Sequence, residues 1–236
     1  MHLNSGCARL AAAAVLMARK FFVDIDGHCK ELAEPYAKAA AEMQGVVPFL
    51  SVRCKHVDDP PFCARFNIKR FPTIHMYKPG ERQPQRLHIP TAHEERLSAR
   101  QLRDAALGLL TEEHVKHFHS QADALAWLEA PGTKVVLVWP QARVTPWLKS
   151  LSQRFNKELR FAQVQRTEDS EALLDHYGIA QVPALVALTS EHRKLEYPGP
   201  LEPLQIQEWL LRLIAADRSS GGAGPEDGEG AAEGEL

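Results

Sequence analysis

The chain reads Phe66-Asn67-Ile68-Lys69-Arg70-Phe71-Pro72-Thr73-Ile74, and further on it reads Tyr177-Gly178-Ile179-Ala180-Gln181-Val182-Pro183-Ala184-Leu185. Both stretches have an aromatic residue, any residue, Ile, two polar or small residues, an apolar residue, Pro, a small residue and an aliphatic residue. Their spacing within 236 residues indicates an internal repeat. Because proline cannot donate a hydrogen bond within a sheet, each Pro predicts the start of a strand, and the cis form is compatible with a tight turn there.

Apolar runs that predict strands and amphipathic runs that predict helices surround each copy of the pattern. The predicted strands cover residues 21–23, 49–52 and 74–77 in the first copy, and residues 135–139, 160–164 and 185–188 in the second. The predicted helices cover residues 30–43 and 94–110, then residues 121–129, 147–159 and 203–216. This alternation predicts an α/β fold of two tandem domains, each with a mixed central sheet and helices on both faces.

The predicted domains cover residues 1–110 and 111–217. Residues 218–236 are rich in Gly, Ala and Glu without apolar periodicity, which predicts a disordered acidic tail with a basic partner. The apolar run in residues 10–18 is compatible with a signal peptide or with a first helix, and an incomplete N-terminus is a third interpretation.

Composition excludes several classes of function. The net charge of −2 lacks the basic excess of a nucleic-acid-binding face, and no run reaches the ~18 apolar residues of a membrane span. No Cys-x-x-Cys or paired-His spacing occurs, so we expect no metal and no cofactor. A histidine cluster in a charged linker is expected to be solvated rather than metal-binding; its members are His114, His117 and His119.

One candidate redox site follows the first predicted strand, at Gly27-His28-Cys29. It has a single thiol, whereas dithiol exchange needs two. A carboxylate at Asp26 disfavours a Cys29 thiolate by charge repulsion, while a helix N-terminus favours it, so the residues leave the net pKa open. Cys29, assisted by a protonated His28, is the catalytic candidate. The competing interpretation is an inert, half-buried residue at a helix start.

The remaining cysteines and tryptophans each leave two interpretations open. Cys54 and Cys63 are spaced so that a bridge is allowed, but two buried free thiols fit the spacing equally well. The cysteine-free segment 139–147 of the second copy contains Trp139 and Trp147, which are either an apolar binding surface or core residues. Burial in the core is the stronger expectation for Trp139.

Residues 21–33 resemble the active-site segment of protein disulfide isomerases, in which an aromatic strand precedes Trp-Cys-Gly-His-Cys-Lys and a Leu-Ala-Pro helix. The resemblance covers residues 20–110 well, and residues 112–216 are similar to the cysteine-free modules of that family. It implies a thioredoxin-like fold for both copies and places Pro72 at the cis-proline position. It also implies a structural disulfide between Cys54 and Cys63.

Three departures from that family bear on the chemistry. Asp26 occupies the position of the attacking cysteine, and a carboxylate cannot replace a thiolate in disulfide exchange. Ile25 replaces the tryptophan, and Lys20 stands where the family has a buried acid. Dithiol oxidoreduction at this site is therefore excluded, and whether the chain is an enzyme stays open.

The resemblance implies a role in protein folding through binding of unfolded or partner polypeptides. The expected peptide-binding residues line a cleft beside the proline: Phe71, Pro72, Thr73 and Asp26. The alternative is a weak monothiol oxidoreductase or isomerase that uses Cys29 or the Cys54/Cys63 pair. The family mostly works in the lumen of the endoplasmic reticulum, which is the expected location and one where a disulfide persists.

Overall fold

A computed structural model describes residues 16–54, 63–79, 81, 83–89, 96–118, 120–191 and 193–220. We call residues 16–110 the N-terminal half and residues 111–220 the C-terminal half. Each half contains one mixed sheet with helices packed against it, as the repeat predicts. The boundary at residue 110 remains a prediction.

The N-terminal half has four strands, β1 (Met17–Phe22), β2 (Phe49–Arg53), β3 (Thr73–Tyr77) and β4 (Gln85–Leu87). Their order in the sheet is β2-β1-β3-β4, with β1 parallel to β2 and antiparallel to β3. The helices are α1 (Gly27–Glu31), α2 (Ala33–Glu42) and α3 (Ala99–Leu107). The single helix predicted over residues 30–43 is thus two helices, and the first begins earlier because Asp26 caps it.

The C-terminal half has five strands, β5 (Val115–Lys116), β6 (Lys134–Trp139), β7 (Arg160–Gln165), β8 (Ala184–Leu188) and β9 (Lys194–Glu196). Their order is β5-β7-β6-β8-β9, with β7 parallel to both neighbours and β8 antiparallel to both. The helices are α4 (Gln121–Glu129), α5 (Pro146–Phe155), α6 (Glu168–His176) and α7 (Pro203–Ser220). Helix α6 is absent from the predicted elements.

The halves differ in how the two faces of the sheet are covered. In the C-terminal half, α5 and α7 pack on one face and α4 and α6 pack on the other. In the N-terminal half, α2 and α3 pack on one face together with Ala18, Ile74 and Met76. Among the described residues, the other face is covered by a cluster to which the short helix α1 contributes Cys29, and the 3-10 helix Ala64–Phe66 packs against this cluster through Phe66.

A tight contact joins the two halves at the turn after α2. Gly45 has a φ of +76°, and a Cβ added there would lie 2.8 Å from the Cβ atom of Pro203 in α7. The next residue, Val46, packs against the cores of both halves. Its carbonyl oxygen accepts a hydrogen bond of 2.5 Å from Ser150 Oγ of α5. Only a glycine fits this turn without displacing α7 or straining the backbone.

The chain ends differ in part from their predictions. Residues 218–220 continue α7 instead of beginning the tail, because Asp217 accepts hydrogen bonds from Thr133 and Ser190 that hold the last turns of the helix. Residues 17 and 18, the last two of the predicted apolar run, lie in β1 rather than in a helix. Residues 1–15 and 221–236 lie outside the described residues, as do the leader and tail predictions that fall on them.

Candidate functional site

Asp26 begins α1 as its N-cap. Its φ of −82° and ψ of 130° are extended, and its Oδ1 accepts a 2.8 Å hydrogen bond from the backbone N–H of Cys29. An N-cap carboxylate satisfies one of the backbone donors that a helix start leaves free. Asp26, at the position where the resemblance implies an attacking thiol, therefore has a structural role at the start of α1.

Cys29 is buried, with 3% of its surface exposed, and it belongs to a cluster with Phe21, Val23 and Ile68. Burial raises the pKa of its thiol above the ordinary value, and both the hydrogen bond and the negative charge of Asp26 add to the increase. The Val23 N–H and the charge of Lys20 act in the opposite direction but are outweighed. The sequence left open whether the carboxylate or the helix start controls the Cys29 pKa. In the structure the net effect raises this pKa, so the thiol resists ionisation.

Lys20 lies in β1 with only 6% of its surface exposed. Its Nζ is 4.6 Å from the ring centroid of Tyr36 and 5.2 Å from that of Phe22. Burial lowers the pKa of the amine, and the charge of the Cys29 thiolate opposes this decrease. A basic group therefore lies beside the thiol at the position where the resemblance implies an acid.

His28 and Ile25 are on the outside of this segment. The His28 side chain is mostly exposed, and its Nδ1 is 4.0 Å from Asp26 Oδ1. Ile25 is 84% exposed, which is unusual for a large aliphatic side chain. The surface beside Asp26 is therefore apolar at Ile25 and ionisable at His28.

The proline segment lies in the same part of the molecule. The Phe71–Pro72 peptide bond is cis, as is Val182–Pro183 at the matching position of the C-terminal half. Pro72 and Thr73 are buried, and the Thr73 hydroxyl donates a 2.7 Å hydrogen bond to the Arg70 carbonyl. Phe71 is half-buried and packs against the cluster that contains Cys29. The structure thus brings Phe71 and Cys29 together around one apolar cluster.

A disulfide joins Cys54 and Cys63, whose Cα atoms are 6.3 Å apart. Both residues are buried in the cluster that contains Cys29. Cys54 is fixed next to the end of β1, because its N–H donates a 2.8 Å hydrogen bond to the Phe22 carbonyl. Cys29 is the free cysteine of the described residues, and Cys7 lies outside them.

The corresponding segment of the C-terminal half is held by hydrogen bonds instead. Gln163 Nε2 donates to the carbonyl oxygens of three successive loop residues, Gln141, Ala142 and Arg143, over 3.1–3.3 Å. Trp147 is buried in the core and Trp139 is half-buried, the reverse of the order expected from the sequence. The reason is that Trp147 lies in the first turn of α5, which faces the sheet.

Two basic residues of β1, Arg19 and Lys20, are buried, and the sequence analysis did not identify Arg19. The Arg19 guanidinium lies between Phe66 and Tyr77, 4.9 Å and 5.3 Å from their ring centroids. It is adjacent to Lys20, so two successive basic residues occupy the interior of a central strand. The available signal was that Arg19 and Lys20 immediately precede the apolar run that predicts a strand over residues 21–23.

The predicted histidine cluster has carboxylate neighbours. His114 Nε2 is 3.2 Å from Glu113 Oε1, His117 Nε2 is 3.5 Å from Glu112 Oε2, and His119 lies outside the described residues. In the described part of the chain, His, Cys, Asp and Glu side chains form no group of three that would hold a metal ion. No helix among those residues has the length and apolar character needed to cross a membrane.

The strand orders, the helices that follow the central strands and the paired cis-prolines define a thioredoxin-like protein. Comparison with known families agrees, since residues 8–99 match the Thioredoxin family. The chain therefore contains a thioredoxin-family domain, and it is similar to proteins named protein disulfide isomerases.

Two curated relatives carry protein disulfide isomerase names. The Schizosaccharomyces pombe protein disulfide-isomerase C1F5.02 is 23% identical over 215 residues, covering 88% of this chain and 40% of the relative. Protein disulfide-isomerase MPD1 of Saccharomyces cerevisiae is 28% identical over 145 residues, covering 56% of this chain and 45% of the relative. The chain therefore spans less than half the length of these relatives.

Solved structures with a similar chain path include full-length ERdj5 and the zinc-bound form of human ERp44. The ERdj5 structure is 16% identical with a TM-score of 0.45, covering 88% of this chain and 30% of that one. The ERp44 structure is 14% identical with a TM-score of 0.39, covering 84% of this chain and 55% of that one.

Proposed function

We propose that this chain binds unfolded or partner polypeptides during protein folding and does not act by dithiol catalysis. The observation that supports this proposal is the role of Asp26, which caps α1 where a dithiol mechanism requires an attacking thiol. The remaining thiol of the segment, Cys29, is buried and has a raised pKa. Both features favour a domain that keeps the fold of a disulfide isomerase and has lost its chemistry.

The proposed binding surface consists of Ile25, Asp26 and Phe71, together with the backbone beside the buried Pro72 and Thr73. Ile25 offers an exposed aliphatic side chain, and Phe71 offers a half-buried aromatic one. The backbone that leads into β3 at Thr73 is suited to pairing with an extended polypeptide, a mode in which main-chain hydrogen bonds give affinity and side-chain pockets give selectivity. The single carboxylate at Asp26 favours segments that are apolar or basic.

A binding titration with a fluorescent, unfolded and alkylated polypeptide tests this proposal. Ile25→Ser is expected to weaken binding by about tenfold or more, because a buried aliphatic side chain contributes about 1.5–3 kcal/mol. Leu195→Ser is the matched control, since Leu195 is a 40% exposed aliphatic residue in the C-terminal half. Equal affinities of the wild type and Ile25→Ser would contradict the proposed surface.

The alternative function is a weak monothiol oxidoreductase or isomerase that uses Cys29 or the Cys54/Cys63 pair. The observation in favour of this alternative is that Cys29, Cys54 and Cys63 lie in one buried cluster. Insulin-disulfide reduction by the wild-type protein, lost on Cys29→Ser or on Cys54→Ser with Cys63→Ser, would support this alternative over polypeptide binding alone. We expect no reduction above background.

We further propose the endoplasmic reticulum lumen as the location. The Cys54–Cys63 disulfide supports this, because such bridges persist in oxidising compartments and are rare in reducing ones. Mass spectrometry of the protein from its native source, without reductant, would test it: a reduced pair would contradict the proposal. The basic partner of the acidic tail stays a prediction, because residues 221–236 lie outside the described residues.

A further inference from the structure

A cavity of about 380 Å³ lies between the two halves, next to the contact of Gly45 with α7. Its size is within the range of small-ligand sites, which occur preferentially at domain interfaces. The N-terminal half contributes Val46, Val47 and Phe49, and the C-terminal half contributes Leu151 and Leu204. The lining is thus mostly apolar, and its polar members are Gln44, Ser150, Gln153, Arg154 and Gln207.

The charged groups that line this cavity are positive only. Of the described residues that line the cavity, Arg154 is the only charged one, and there is no Asp or Glu among them. Arg154 Nη1 donates a 2.9 Å hydrogen bond to Gln207 Oε1, a neutral acceptor that also lines the cavity. Its guanidinium lies 5.5 Å from the Phe155 ring centroid, and none of the ion pairs among the described residues involves it.

A cation without an ion-pair partner at an apolar cavity selects for an anion with an apolar body. Burial lowers the pKa of Arg154 below its ordinary value, which reflects the cost of holding this charge partly out of water. A carboxylate offsets that cost, because hydrogen bonds between charged groups are about twice as strong as neutral ones and guanidinium matches carboxylate geometry. The apolar part of the lining favours such an anion over a highly hydrated one such as inorganic phosphate, because removing phosphate from water costs more free energy.

We propose that the cavity between the halves binds a medium-chain fatty acid, with its carboxylate on Arg154 and its alkyl chain against Val46, Phe49 and Leu204. The site is separate from the surface at Asp26 and Phe71, and its occupation does not depend on polypeptide binding there. A ligand in this position contacts both halves, so it stabilises their present arrangement.

Isothermal titration of the full chain with octanoate and octanamide tests the proposal, because the two probes differ in charge and not in chain length. We expect octanoate to bind and Arg154→Gln to weaken it by about tenfold or more, the loss that follows from removing one charged hydrogen bond. Octanamide is expected to bind more weakly and to respond little to Arg154→Gln. Arg212→Gln is the matched control, since Arg212 pairs with Glu208 on the surface of α7 outside the cavity.

Three results would overturn the proposal. The first is that octanoate binds Arg154→Gln as tightly as the wild type, which would indicate non-specific association with apolar surface. The second is that octanoate shows no binding at millimolar concentration. The third is that only a peptide with a free carboxyl end, such as N-acetyl-leucyl-leucine, binds in an Arg154-dependent manner, which would assign the cavity to polypeptide termini instead.

Discussion

The two halves of the chain share a framework and differ in the segment that follows the central strand. In the N-terminal half, β1 leads to Asp26, which caps a short helix that buries Cys29. In the C-terminal half, β6 leads to a loop fixed by Gln163, and α5 begins with Pro146 and the buried Trp147. The same fold therefore presents a thiol in one half and none in the other.

The halves also differ in what stabilises them. The C-terminal half has α-helices on both faces of a five-stranded sheet, so apolar burial accounts for most of its stability. In the described part of the N-terminal half, α2 and α3 cover one face, and on the other the short helix α1 contributes Cys29 to a cluster that contains the Cys54–Cys63 disulfide. We therefore expect the disulfide to add to the stability that the N-terminal half gains from its own apolar core, whereas the C-terminal half has apolar packing on both faces of its sheet.

The largest expected effect comes from giving the N-terminal half the thiol that it lacks. Asp26→Cys creates a Cys-Gly-His-Cys segment at the start of α1, so insulin-disulfide reduction is expected to rise about tenfold or more above the wild-type background. The same change removes the N-cap of α1, at a cost of about 1 kcal/mol, which thermal unfolding measures. Asp26→Cys combined with Cys29→Ser is the control. Equal activity of the double and single variants would show that Cys29 does not act as the second thiol.

The next expected effect is a loss of stability in the N-terminal half alone when its disulfide is removed. Replacing both Cys54 and Cys63 by Ala is expected to lower the free energy of unfolding of the N-terminal half by about 2–4 kcal/mol. Hydrogen exchange of the β1 and β2 amides measures this loss directly. The four tryptophans, Trp127, Trp139, Trp147 and Trp209, all lie in the C-terminal half, so their fluorescence monitors that half separately. Unchanged exchange in β1 and β2 would contradict a stabilising role for the disulfide.

A smaller effect is expected where the halves meet. Gly45→Ala adds a Cβ that lies 2.8 Å from Pro203 Cβ, at a φ of +76° that Ala rarely adopts. We expect a loss of about 1–2 kcal/mol in denaturant unfolding followed by tryptophan fluorescence. Gly27→Ala is the control, because a Cβ at Gly27 meets no atom within 4 Å and needs no positive φ. Equal losses in the two variants would refute the close approach at Gly45.

The repeat pattern predicted most of this fold, because apolar periodicity and the two prolines are local signals. The structure confirms the mixed sheets and places strands and helices at most of the predicted positions, including α4 within the predicted bounds of residues 121–129. Helix α6 and the short strands β4, β5 and β9 were missed, and the helix predicted over residues 94–110 is shorter because Ser98 and Gln101 form a capping box that starts α3 at Ala99. Helix ends depend on such single side chains.

The candidate site was less predictable, because its chemistry depends on burial. The sequence identified Asp26, Cys29 and Lys20 but left open whether the carboxylate or the helix start controls the thiol. The deciding factor is desolvation, which arises from the packing of residues distant in sequence such as Phe21 and Ile68. The cavity at Arg154 was not predictable for the same reason, since α5 and the turn after α2 lie about a hundred residues apart.

The smallest expected effect concerns the Cys29 thiol, since the C-terminal half contains no cysteine. Because folding raises its pKa, burial of the neutral thiol stabilises the protein below the thiol's unfolded-state pKa, and this contribution is lost as the pH rises through the folded-state pKa. Alkylation of Cys29 is therefore expected to be slow at neutral pH and to accelerate in alkaline solution. Its pH profile, followed by mass spectrometry, measures the pKa in the folded protein.

Two variants should move that profile in opposite directions. Asp26→Asn keeps a good N-cap residue but removes the negative charge, so the alkylation midpoint is expected to fall below that of the wild type. Lys20→Met removes the neighbouring positive charge and keeps an unbranched apolar side chain, so the midpoint is expected to rise. Movement of both midpoints in one direction would mean that altered burial, rather than charge, controls the thiol. Opposite movements would identify Asp26 and Lys20 as the pair of charges that sets its reactivity.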